Sequence, residues 1–72
     1  MKISEVQEIF TNNGINAKVM PGMLADILVI FVKQDKTKVN EAIATLKENN
    51  AKVFKFINVV DKDHVTGKIK VK

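Results

Sequence analysis

The single histidine of the chain, His64, closes the segment Asp61-Lys62-Asp63-His64. Two carboxylates beside an imidazole are the one local grouping whose residue types suit a metal ion. Transition-metal sites need three or four convergent ligands, and the chain offers no cysteine and no second histidine to complete a set. The segment is therefore read as a solvated hairpin turn, and no metal is assigned to it. Nucleophilic catalysis lacks parts for the same reason. There is no thiol, no second imidazole to act as a base, and no arginine to clamp a developing anion. Gly14, Gly22 and Gly67 fall at no phosphate-loop spacing. Asp26, just ahead of an apolar run, is read as an exposed residue at a strand entrance rather than as a perturbed acid. These residues describe a chain that is no enzyme, carries no cofactor and works by binding.

Charge gives that binding a direction. The net charge is +4, and all 12 basic residues are lysine. Residues 1–35 hold three lysines against four acids, whereas residues 36–72 hold nine against four. A basic half is a footprint for anionic partners such as nucleic acid. A membrane partner is not expected: Glu5 and Glu8 interrupt the start, and the apolar segment 23–32 contains Asp26 and is far short of the ~20 residues of a spanning helix. The expected location is cytoplasmic.

The elements that must carry these residues follow from periodicity. Ser4 and Gln7 have capping-box spacing ahead of a helix with Val6, Ile9 and Phe10 on one face, and Gly14 supplies its left-handed stop. A short strand over 15–20 leads to Pro21-Gly22, suited to the centre of a type II turn. A second strand covers 25–33. Asp35 or Thr37 caps a second helix whose buried stripe is Val39, Ala42, Ile43 and Leu46, and Glu48-Asn49-Asn50 ends it. Strands over 51–60 and 65–72 complete the chain, joined by the turn at 61–64. The order predicts a single α+β domain over 1–72, an α-β-β-α-β-β two-layer sandwich with an antiparallel-rich four-stranded sheet and both helices on one face. "ISEVQEIFTNNGINAKV" lies over "VNEAIATLKENNAKV" with two residues dropped, so residues 1–35 and 36–72 read as half-repeats of an internal αββ duplication.

The run Ile27 to Val32 has no polar face, although a strand wet on one side should alternate. In the last strand Lys68, Lys70 and Lys72 alternate with Ile69 and Val71, so the lysines face water. Laying "IFVK" over "IKVK" then turns Leu28, Ile30 and Val32 toward the helices and Ile27, Val29 and Phe31 outward. Val53, Ile57 and Val59 go inward, with Phe54 and Phe56 outward and Lys55 breaking the pattern through a bulge or a changed phase. Strands 25–33 and 51–60 are expected at the centre and the last strand at an edge. The alternative is a circularly permuted ferredoxin-like order with the last strand inside.

Two helices cover only one side of such a sheet. The other side is expected to present Ile27, Val29, Phe31, Phe54 and Phe56 as an interface for a homo-oligomer, a dimer in the first instance. Around it Lys18, Lys52, Lys68, Lys70 and Lys72 would contact nucleic acid or another anionic partner, or simply protect the sheet edge. Met20, Met23 and Leu24 either add an adaptable contact patch or fold over the core. The alternative function is a protein–protein regulator, for example phage or mobile-element encoded, that binds a host protein and no nucleic acid.

Overall fold

A computed structural model describes all 72 residues. The order is α1 (Ile3–Asn12), β1 (Ala17–Pro21), β2 (Ile27–Asp35), α2 (Lys36–Glu48), β3 (Val53–Val59) and β4 (His64–Val71). The four strands form one antiparallel sheet in the order β1-β2-β4-β3, and both helices pack against it. The two-layer α+β sandwich is thus as the periodicity predicts. The strand order is the permuted alternative: β4 lies inside beside β2, and β3 is an edge.

Local signals explain the helices well. Val6, Phe10, Val39, Ala42, Ile43 and Leu46 are all buried, the two stripes meeting over the sheet. Asp35 caps α2 by accepting the Lys38 N–H at 3.1 Å. Both helices end in the same way. Ile15 N–H donates to Phe10 C=O and Gly14 N–H to Thr11 C=O; Ala51 N–H donates to Leu46 C=O and Asn50 N–H to Lys47 C=O. Each set is a Schellman pair, closed by Gly14 at φ +73 and Asn50 at φ +64 in the left-handed region. The start of α1 differs from the sequence expectation. Lys2 is the cap, and its N–H donates to Glu5 Oε1 at 2.8 Å. The Gln7 amide instead reaches Thr11 and the Ala17 carbonyl.

The faces of β2 are the reverse of those expected. Ile27, Val29 and Phe31 are buried beneath the helices with Ile69, Val71 and Val65, while Leu28, Ile30 and Val32 point to the open side. The cause is a bulge. Pairing with β4 is continuous from Ile27 to Phe31 and then slips by one residue before Gln34, with Lys33 at φ +47. Counting back from Lys33 across that extra residue lands on the wrong face. The bulge is well satisfied: Lys33 N–H donates to Thr66 Oγ1, and the Gln34 amide donates to Val32 C=O while accepting the Asn16 N–H. Pairing of β3 with β4 is regular throughout, so Lys55 marks neither a bulge nor a change of phase. It shares the helix-side phase of Val53 and Ile57 and, on an edge strand, extends to solvent.

Opposite the bulge stands Gly67, paired to Phe31 and to Ile57. A Cβ built there would lie 2.3 Å from the Phe56 carbonyl oxygen and 2.8 Å from the Ile57 Cα. Backbone on that side cannot yield as a side chain would. Gly67→Ala is expected to destabilise the fold by roughly 1–3 kcal/mol, the range for overpacking, measured as a lower urea midpoint; a midpoint equal to the parent's would show that the strands part without cost.

Candidate binding face

Alternation across the sheet fixes what the uncovered face displays. From β1 come Lys18 and Met20, paired to Ile30 and Leu28 of β2. From β4 come Lys68 and Lys70, directly between β2 and β3: Lys68 pairs with Ile30 on one side and Phe56 on the other, and Lys70 with Leu28 and Phe54. Because β4 is interior, its lysines run down the middle of the face and do not border it. The apolar surface is split accordingly. Ile30 and Val32 are exposed on one flank, and Phe54 (43%) and Phe56 (53%) on the other.

Phe54 and Phe56 therefore stand where the sequence placed them, and Ile27, Val29 and Phe31 do not; those three belong to the chain's own core. Sequence reasoning missed Leu28, Ile30 and Val32, and the lysine alternation of β4 combined with a β2–β4 pairing would have found them. Each exposed ring has a cation near it. Lys68 Nζ lies 5.7 Å from the Phe56 ring centre and Lys72 Nζ 5.9 Å from that of Phe54, within reach of a cation–π attraction. Lys52 exchanges both backbone hydrogen bonds with Lys72 at the end of the same edge. A shallow depression of about 660 Å³ lies between β2 and β3, with Ile30, Val32 and Phe56 as its apolar walls and Thr66, Asn58 and Lys68 as its polar side.

Asp26 differs from the exposed residue expected. It is the one buried charged residue, and its carboxylate lies 3.8 Å from Lys70 Nζ. Lys70 thus has a structural partner, whereas Lys68 has only the ring beneath it as a close neighbour of opposite polarity. The turn between β1 and β2 runs through Gly22 to Asp26, with Leu24 rather than Gly22 in the left-handed region. Pro21-Gly22 is accordingly not the centre of a type II turn. Met23 and Leu24 project freely, 82% and 93% exposed, and do not cover the core.

At the opposite end of the sheet Asp61 accepts the Asp63 N–H at 2.8 Å and faces His64 Nδ1 at 2.9 Å. No group of three His, Cys, Asp or Glu side chains is placed to hold a metal ion. No helix is long and apolar enough to cross a membrane. No protein-family model, curated protein or solved structure matches the chain.

The Asp63 N–H, and after it the His64 ring, hold the Asp61 carboxyl below its ordinary value of 3.8. A depressed carboxyl stabilises the fold above its ordinary value and loses that contribution as pH falls through its lowered one. Asp61→Asn is expected to lower stability modestly at neutral pH, and the gap to the parent should close as the solution is acidified below about pH 4. Urea midpoints taken across that range check it; a gap constant with pH would show that the charge of Asp61 contributes nothing.

Proposed function

We propose that the chain is a non-catalytic binding module whose open sheet face takes single-stranded nucleic acid. The observation that carries this reading is the pair of exposed phenylalanines on β3 beside the central lysine row. Rings two residues apart on a strand are separated by roughly 6.6 Å. That is wider than the ~3.4 Å between stacked bases, so two bases drawn apart can each lie on one ring. Every base has a π-face, and stacking of this kind needs no sequence signal. Lys68 and Lys72 beside the rings, Lys52 at the end of the same edge and Lys18 across the sheet supply cations for the phosphates.

Electrostatics favours this occupant over face-to-face self-association. Pairing two open faces would enclose Lys68 and Lys70 of both copies in a drying interface. Unpaired buried ammonium groups are strongly unfavourable, and Asp26 provides one carboxylate per chain already engaged with Lys70. A polyanion turns the same lysines into attractive contacts.

Fluorescence anisotropy with labelled single-stranded DNA and RNA, a duplex of equal length and polyglutamate tests the reading. Either or both single strands should bind at low salt and weaken as salt rises. Replacing Phe54 and Phe56 by alanine should cost about 1–3 kcal/mol per stacked base. Lys68→Ala should reduce the salt slope by about 0.7; Lys70 is left intact because its loss strands Asp26. No binding at low salt, or equal binding of polyglutamate, sinks the proposal.

A further inference from the structure

The two free edges of the sheet are built very differently. Gly22 N–H bonds the Asp26 carbonyl within the first hairpin, so the alternation of an antiparallel ladder turns the main-chain groups of Ala17, Val19 and Pro21 to the outer edge of β1. That edge is blunted. Pro21 has no N–H to offer, and the Ala17 carbonyl accepts from Gln7 of α1.

On β3 the reciprocal bonds of Lys52 with Lys72, and Val60 N–H to His64 C=O, place the even-numbered residues against β4. Val53, Lys55, Ile57 and Val59 therefore direct their N–H and C=O groups outward. This edge has no proline and a single charge, in a strand otherwise made of β-branched residues, two phenylalanines and one asparagine. It is also where apolar side chains remain uncovered, with Val59 70% exposed on the helix side and Phe54 and Phe56 on the other.

We infer that β3 pairs with β3 of a second copy, antiparallel about a twofold axis through Phe56, to make a continuous eight-stranded sheet. The register follows from the strand itself. Centring on Phe56 sets Val53 opposite the partner's Val59 and Lys55 opposite the partner's Ile57, so all four outward-facing residues of each copy find hydrogen-bonding partners. Centring on Lys55 would oppose two ammonium groups, which disfavours a cross-strand pair. Centring on Ile57 would leave Val53 overhanging. In the chosen register Val59 is covered by Val53, and the two Phe56 residues form a close non-hydrogen-bonded pair. The lysine rows stay on the open face, outside the contact, so none of the cost that opposes face-to-face packing arises. The inference is independent of nucleic-acid binding, although the joined sheet would bring four phenylalanines together between two lysine rows.

The chain has no cysteine, so single cysteines report the geometry. Cα atoms in a non-hydrogen-bonded pair lie about 4.5 Å apart, close enough for a disulfide. Under mild oxidation Phe56→Cys is expected to convert to a covalent dimer, doubling the 8.1 kDa mass. Val59→Cys alone should not, because its twin lies six residues along the strand, roughly 20 Å away; mixed with Val53→Cys it should. Both Phe56 and Val59 are exposed, so their substitution leaves the core intact. Lys55→Pro removes an outward N–H together with a solvent-exposed ammonium, and should shift the light-scattering mass from dimer to monomer while circular dichroism stays unchanged. Lys55→Ala, which keeps the N–H, should stay dimeric. A parent chain that is monomeric at high concentration overturns the inference, as does cross-linking of Val59→Cys alone at the rate of Phe56→Cys.

Discussion

Two helices cover one face of a four-stranded sheet, and no element among these residues packs on the other. The make-up of the open face follows from that arrangement. The helix-covered side absorbs the strongest hydrophobes: Phe10 and Leu46 from the helices, Phe31, Val29 and Ile69 from the sheet. The uncovered side must tolerate water, and does so by mixing rings and aliphatics with lysine. The open face and the β3 edge are where apolar side chains and unpaired main-chain groups remain uncovered.

The bulge at Lys33 decides which residues meet that constraint. With one extra residue in β2, Phe31 enters the core and Val32 leaves it. Thr66 and Gln34 satisfy the displaced main chain, and Gly67 lets β3 approach closely opposite the irregularity. Three polar or small residues thus hold a distortion that an apolar strand would not adopt alone. The Thr66 hydroxyl accepts the Lys33 N–H at an exposed position, a bond of the kind worth about 0.5–1.5 kcal/mol net.

Placing β4 inside the sheet changes the electrostatics more than the fold. At an edge its lysines would discourage aggregation and little else. In the middle they make one positive ridge between two apolar flanks, held at one point by Asp26 and at another by the Phe56 ring. The ridge opposes stacking two faces together, and the blunted β1 leaves β3 as the edge open to pairing. The proposed uses of the face and of the edge therefore do not compete for the same surface.

Features that depend on neighbours along the chain were legible in the residues themselves. The buried stripe of α2, its cap at Asp35 or Thr37 and the stop at Gly14 are local, and so is the outward alternation of Lys68 and Lys70 with Ile69. The register of the half-repeats turns Phe54 and Phe56 outward while leaving a bulge or changed phase open at Lys55, and the regular pairing of β3 with β4 puts them on the open face. The phase of β2, the interior position of β4 and the burial of Asp26 emerge only once the strands are paired. Each depends on which strands pair and where a residue is looped out, and an unbroken apolar run such as Ile27 to Val32 satisfies either phase equally well. Only the hydrogen bonds of Thr66 and Gln34 to the bulge, made from residues on other elements or beyond the slip, separate the two.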